Sequence, residues 1–238
     1  MSGHSKWATT KNKKEAADSK RSNLFTKLAR NISVAARSGG DPDMNFSLRI
    51  AVDKSKAAGM PKENIERAIK RGSGESSGES IEEFIYEGFG SSGVALIIEG
   101  VTDNRNRTLP EIKSILTKAG GSIGAQNSVK WMFEHKGVIH LNSEQSADKD
   151  TMMLELIDMG AADVAEEENG LTAYCLFEDF EKLKKALEAK GVNPEYAEVE
   201  WVAKEPVAVS EETREKIETL METLESQDDV NNVYANMK

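Results

Sequence analysis

Hydrophobic positions change their spacing along this chain, and the changes predict its elements. Leu24, Phe25, Leu28, Ile32, Ala35 and Ala36 recur at helical spacing until Gly39-Gly40-Asp41-Pro42 stops the run with turn-forming residues. Leu48, Ala51 and Val52 mark a second amphipathic stretch ending at Gly59. Pro61 opens a third, with Ile65, Ala68 and Ile69 on one face and Gly72 as its stop. Residues 1–72 therefore read as a three-helix domain. Its first 20 residues show no apolar period and are expected to form an extended arm. Residues 73–82, rich in Gly, Ser and Glu, have the composition of a flexible linker.

Beyond the linker, strand and helix periods alternate. A strand is expected over 94–101, a helix over 109–119 opened by a Thr108/Glu111 capping box, and a strand over 129–133. Strands at 138–141, 162–165, 171–177 and 197–202 then alternate with helices at 151–159 and 181–189, which spells β-α-β-β-α-β. A strand at 206–209, a helix capped by Ser210 and a strand at 230–235 close the chain. The flanking pieces spell β-α-β twice. The predicted class is α+β: an N-terminal three-helix domain followed by two ferredoxin-like split-βαβ domains, the third (134–204) inserted in the second (83–133 plus 205–238). One continuous α/β domain is the alternative.

Charge divides the chain at the same linker. The whole sequence carries 31 Lys/Arg against 41 Asp/Glu, a net −10 that argues against a uniformly basic nucleic-acid coat. Residues 1–72, however, hold 16 Lys/Arg and 7 Asp/Glu, a net +9, and the remainder holds 15 and 34, a net −19. Such asymmetry points to nucleic acid, since the basic part can neutralise phosphates that the acidic part repels.

Several other chemistries find little support. Cys175 is the only cysteine, so no intrachain disulfide or cysteine-based zinc site is expected, and a reducing, cytoplasmic setting fits. The longest apolar run, Val94 to Ile98, is far short of the roughly 20 residues of a membrane span. Gly88-Phe-Gly-Ser-Ser-Gly93 matches a dinucleotide-binding string, but a strand follows it rather than a helix, so an inter-strand loop is expected. His4, His135 and His140 are too scattered for a metal set, and the last two read as surface histidines. With no nucleophile-elbow, Walker or paired-carboxylate pattern, neither enzymatic activity nor a cofactor is expected.

Two segments carry candidate binding chemistry. In the first, His4, Lys6, Trp7, Lys11, Lys13, Lys14, Lys20 and Arg21 place cations and one aromatic ring where they could grip phosphates and stack on an unpaired base. A basic tail without a ligand is the plainer alternative. In the second, Thr102-Asp-Asn-Arg-Asn-Arg-Thr108, Asn104, Arg105 and Arg107 lie where a strand meets a helix N-terminus, so the arginines could fork onto phosphates favoured by the helix dipole. Contacts within the turn or between domains explain them equally well.

Gly3-His-Ser-Lys-Trp-Ala8, Phe25-Thr-Lys-Leu28, Gly39-Gly-Asp-Pro42, Met60-Pro-Lys-Glu-Asn-Ile-Glu-Arg-Ala-Ile-Lys70, Tyr86-Glu-Gly-Phe-Gly90 and Thr102–Thr108 together resemble the YebC/PmpR family, from residue 3 to the C-terminus. The resemblance implies a helical domain followed by two α+β domains, the third inserted in the second. It also implies a regulator of gene expression: members are widely catalogued as probable DNA-binding transcriptional regulators, and the mitochondrial branch acts in translation. Asn12, Ser22-Asn23 and Ser91-Ser92 depart from the usual family residues, and the change at Asn23 removes one potential phosphate contact.

Two functions follow as expectations, both non-enzymatic. The first is a ribosome-associated translation factor contacting rRNA through the basic arm. The second is a DNA-binding transcriptional regulator whose helices present Lys27, Arg30, Lys70 and Arg71 to duplex backbone. No recognition helix with side chains suited to base edges stands out, which favours RNA. A monomer without membrane contact is expected in either case.

Overall fold

The computed structural model describes residues 19–74, 81–145, 148–167 and 169–238, with 19–22 described by backbone only. The arm and most of the linker lie outside these residues. Helix α1 (Ser19–Ala35), α2 (Phe46–Ala57) and α3 (Lys62–Gly72) form the N-terminal part. Asn45 sets the corner between the first two. Its Oδ1 accepts from the Leu48 backbone N–H at 3.1 Å, capping α2, while its Nδ2 donates to the carbonyls of Ala35 and Gly39 at 2.8 and 2.7 Å. The apolar stripes predicted by periodicity converge: Leu28, Ile32, Ala36, Leu48, Val52, Met60, Ile65 and Ala68 make one buried cluster. Helices α1 and α3 approach to backbone contact, because a Cβ at Gly72 would lie 2.0 Å from the Ser33 carbonyl oxygen. Ser33 Oγ donates across the same crossing to the Ala68 carbonyl at 2.9 Å.

The rest of the described chain runs β1 (Glu82–Phe89), β2 (Ala95–Thr102), α4 (Arg105–Lys118), β3 (Ser122–Ile123), β4 (Phe133–Asn142), α5 (Lys149–Asp158), β5 (Asp163–Glu167), β6 (Gly170–Leu176), α6 (Phe180–Ala189), β7 (Tyr196–Ala203), α7 (Glu211–Glu225) and β8 (Val230–Ala235). These make two four-stranded antiparallel sheets, ordered β3-β1-β2-β8 and β5-β6-β4-β7, so the protein is α+β. The chain of the second sheet lies wholly between β3 and α7. Its β-α-β-β-α-β sequence with β4 and β6 central is the split-βαβ order expected from periodicity.

The first sheet departs from that expectation. It runs β-β-α-β and then α-β, because the predicted strands at 129–133 and 206–209 are absent and the unpredicted β1 is present. Residues 130–132 form a single 3-10 turn, and the backbone N–H groups of Asn127, Val129 and Lys130 donate to the Glu87 carboxylate at 2.6, 2.7 and 2.8 Å instead of to a strand neighbour. Burial opposes ionisation of Glu87, but the three N–H donors outweigh it and hold its pKa below the usual carboxylate range. Pro206 has no N–H to donate, and its segment contributes only the Val207–Met237 bridge. In β1, Glu82, Glu83, Glu87 and Gly88 blur the alternation that marks a strand.

Other boundaries move for similar reasons. Helix α4 begins earlier than predicted, because Asn104 rather than Thr108 caps it by accepting from the Arg107 N–H at 3.2 Å. Ser210 caps α7 as expected. Gly88–Gly93 leads off β1 through a short turn into β2, so the glycine string is the predicted inter-strand loop. His140, expected on the surface, is fully buried on β4, with Nδ1 3.0 Å from Thr172 Oγ1. Alternate β4 positions are buried on both sides, which a single histidine in a sequence cannot reveal.

Strand β2 is the centre of the molecule. One face, Leu96 and Ile98, packs with Phe84 under α4 and α7. The other, Ala95 and Ile97, meets Val129, Phe133 and Ala203 at the edge of the second sheet. Glu99 links the sheets here, accepting from Tyr234 Oη at 2.9 Å, Asn232 Nδ2 at 2.8 Å and Trp201 Nε1 at 3.2 Å.

The helical part is fastened to this body through Asp229, whose side chain is 1 % exposed. Asp229 Oδ1 receives Arg30 Nη1 at 2.7 Å, and Oδ2 receives Arg107 Nη2 at 2.7 Å, Thr108 Oγ1 at 2.6 Å and Thr102 Oγ1 at 3.1 Å. Gly100 lets the turn approach, since a Cβ there would lie 2.0 Å from the Asp229 carbonyl oxygen. Beside it, Lys27 Nζ donates to the Glu225 and Val230 carbonyls at 2.6 and 2.7 Å, placing a cation at the negative end of α7. Helix α2 makes the second attachment, through Lys54 to Glu198 at 2.6 Å and Phe46 edge-on to Phe177 at 5.8 Å.

Burial opposes ionisation of Asp229, but hydrogen bonds from Thr108 and Arg107, with the Arg107 charge, prevail and lower its pKa. A depressed carboxyl contributes stability that is fully present above its unfolded value of about 3.9 and is lost as pH falls through the folded pKa. Urea unfolding should therefore show stability falling below about pH 4 in the wild type, with a shallower fall in Asp229→Asn. At neutral pH, Asp229→Asn should cost about 3 kcal/mol, because Arg30 loses its charge partner and Arg107 keeps only the more exposed Asp103. Arg107→Ala should cost less, because Arg107 is 44 % exposed. Gly72→Ala should lower stability by about 1–3 kcal/mol, read as a reduced melting temperature, because α1 and α3 must separate to admit the methyl group.

Candidate nucleic-acid interface

The candidate binding residues fall into three groups. His4, Lys6, Trp7, Lys11, Lys13 and Lys14 lie outside the described residues, while Lys20 and Arg21 sit on the first turn of α1. The second group is engaged inside the protein. Lys27 and Arg30 make the contacts with the α7–β8 turn described above, and Asn104 caps α4. Arg107 joins Asp103 at 2.8 Å to Asp229, and Arg105 pairs with Glu82 at 2.9 Å and donates to the Glu83 carbonyl at 2.7 Å. Hydrogen bonding to Asp229, ahead of its charge, raises the Arg107 pKa further, so this guanidinium stays ionised at any accessible pH. These side chains have internal partners within the turn and between the helical part and the sheet. Within Thr102–Thr108, contacts inside the turn and to neighbouring elements engage both arginines.

The third group is open. Lys70 and Arg71, on the last turn of α3, are exposed, and so is Arg67 one turn earlier. Among the described residues none of the three has an ion-pair partner. Residues three and four apart on a helix are neighbours, so Arg67, Lys70 and Arg71 form one patch of three positive charges. Arg67 and Arg71 also line a cleft of ≈ 490 Å³ between α1 and α3, together with Phe25, Arg30, Asn64 and Asp103. One wall of this cleft thus carries guanidinium forks suited to phosphate oxygens, with an aromatic ring nearby. Asp103, already paired with Arg107, limits but does not cancel the positive field.

Sequence reasoning missed Arg67, although its i, i+4 spacing to Arg71 on a predicted helix was a usable signal. It could not separate Lys27 and Arg30 from the open cations, because their partners lie about 200 residues away, at separations of 198 for Lys27 to Glu225 and 199 for Arg30 to Asp229. Among the described residues, no group of three or more His, Cys, Asp or Glu could hold a metal ion, and no helix is long and apolar enough to cross a membrane.

Comparison with known proteins extends over nearly the whole chain. Residues 5–75 match a family model described as the TACO1/YebC protein N-terminal domain, and residues 81–237 match one described as the TACO1/YebC second and third domain. A probable transcriptional regulatory protein of Halothermothrix orenii is 48 % identical over 99 % of this chain and 94 % of its own length. One from Thermoanaerobacter pseudethanolicus is 46 % identical over 100 % of this chain and 97 % of its own. The crystal structure of a conserved hypothetical protein from Aquifex aeolicus, 42 % identical, superposes with a TM-score of 0.87 over 98 % of this chain and 97 % of that one. With both models matched in order and close relatives covered end to end, the chain belongs to the YebC/PmpR family.

Proposed function

We propose that this protein is a non-enzymatic regulator of gene expression that binds nucleic acid through its basic helical part, with duplex DNA as the ligand. The observation that carries this reading is the open patch of Arg67, Lys70 and Arg71 beside the α1–α3 cleft. The names of its relatives, probable transcriptional regulatory proteins, support DNA over ribosomal RNA. Guanidinium and ammonium groups would neutralise backbone phosphates and release counterions, with Lys6, Lys11, Lys13 and Lys14 of the arm extending the contact. The acidic remainder, at −19, would be repelled by the same backbone and so orient the helical part towards it.

A second reading, contact with ribosomal RNA in translation, is favoured by one observation. Lys27 and Arg30 of α1 face the protein's own body, which leaves α3 with cations for phosphates and little to read base edges. Sequence-specific duplex readout needs a helix whose side chains reach base edges, and the lack of one among the described residues weighs towards RNA.

Fluorescence anisotropy with a promoter duplex and a ribosomal RNA fragment tests both readings. Arg67→Glu/Arg71→Glu should weaken binding to the physiological ligand at least tenfold and reduce the slope of log K against log salt by about 2, near one unit per lost phosphate contact. Lys11→Glu/Lys13→Glu/Lys14→Glu should act in the same direction. Unchanged affinity in both variants would remove the helical part from the interface. A clear preference of the wild type for the RNA fragment would replace the DNA reading with the ribosomal one.

A further inference from the structure

The cleft between α1 and α3 is larger than a phosphate contact requires. At ≈ 490 Å³ it falls within the range of about 300–1,000 Å³ typical of small-ligand sites, and a duplex resting on α3 is too wide to enter it. It lies where the helical part meets the first sheet, since Ile81, just ahead of β1, and Asp103, just after β2, line it beside residues of α1 and α3. Several polar side chains reach this space with hydrogen-bonding capacity to spare. Arg67 and Arg71 have no side-chain partner among the described residues. Arg30 uses only Nη1, towards Asp229 and the Asp228 carbonyl, so its Nε and Nη2 have no acceptor among them. Asp103 accepts from Arg107 through Oδ1, and its Oδ2 takes no hydrogen bond from a described residue. The Asn64 amide, half-buried on the first turn of α3, makes none either. Phe25, Ala68 and Ile81 give the same cleft an apolar surface.

We infer that this cleft binds a nucleoside di- or triphosphate, which acts as an effector by occupying the arginines that duplex DNA needs. Arg67 and Arg71 stand one helical turn apart, with about 5–6 Å between Cβ atoms at that spacing, which suits two linked phosphoryl groups better than one. Each guanidinium presents a planar fork matched to phosphate oxygens, and Arg30 adds donors from α1. The phosphates thus stay within the basic part of the chain. The base goes to the apolar surface, where the Asn64 amide and Asp103 Oδ2 are available to its polar edge. A bare polyphosphate would leave the apolar surface unused and would meet Asp103 as a like charge. The effector role rests on the duplex-DNA reading above, because nucleotide and backbone phosphates compete for the same two arginines, whereas the nucleotide site does not.

Isothermal titration calorimetry of the full chain with ATP, GTP and inorganic pyrophosphate at constant ionic strength tests the site, and anisotropy on a labelled DNA duplex tests the competition. At least one nucleotide should bind about tenfold more tightly than pyrophosphate, the margin that burying a base supplies. Its affinity should fall about tenfold or more in Arg67→Glu/Arg71→Glu, which removes the phosphate partners. Asn64→Trp, which fills the cleft and keeps both arginines, should lose nucleotide binding as well, with circular dichroism confirming the fold. Saturating nucleotide should displace the duplex from the wild type. Nucleotide binding that is absent, no tighter than that of pyrophosphate, or unchanged in both variants would overturn the site, while duplex binding in the same preparation would keep the nucleic-acid reading intact. Nucleotide binding that leaves duplex affinity unaltered would overturn the effector role. A wild type that binds nucleotide but no duplex would overturn the duplex reading, and the effector role with it.

Discussion

Asp229 is the constraint on which the arrangement of this molecule turns. One buried carboxylate receives a guanidinium from α1, another from α4 and two threonine hydroxyls, so three stretches distant in sequence share it. A buried charge held by four hydrogen bonds is stable only as a set, and losing one member exposes the cost of desolvating the others. Gly100 completes the geometry, since no side chain larger than hydrogen lets the Asp229 turn press against β2. The helical part is therefore seated by a specific polar junction rather than by apolar burial alone.

That seating decides which cations remain for a ligand. The helical part has a strong positive excess in sequence, but Lys27 and Arg30 are directed into the junction and Lys54 into Glu198. Arg67, Lys70 and Arg71 stay outside, on the face of α3 that the bundle leaves open. The net charge of −10 that argues against a nucleic-acid coat thus resolves into a basic surface narrower than the sequence suggests and an acidic body behind it.

Legibility in the sequence followed the range of the forces involved. Helices α1 to α3 and the β-α-β-β-α-β of the second sheet were readable, because their apolar periods report burial of one face and need only local sequence. Strand β1 was not, because its Glu87 serves as a buried acceptor for a loop 40 residues on and so looks like a solvent-facing position. Residues 129–133 misled in the opposite sense: Val129, Trp131 and Phe133 alternate like a strand, yet their segment's N–H groups go to that same carboxylate. Within the candidate interface, Lys70 and Arg71 were legible as helix-borne cations. The engagement of Lys27, Arg30 and Arg107 was not, since it depends on a partner that only the tertiary fold brings near.

The most direct measurement is amide hydrogen exchange of the full chain with and without bound nucleic acid. If Asp229 holds α1 against the body and α3 is the face left open, binding should slow exchange over Lys62–Gly72 and leave the Glu225–Val230 turn and the Lys27–Arg30 segment unchanged. Protection at the turn and at Lys27–Arg30 with none on α3 would show that the junction opens to present α1, and would contradict the central claim.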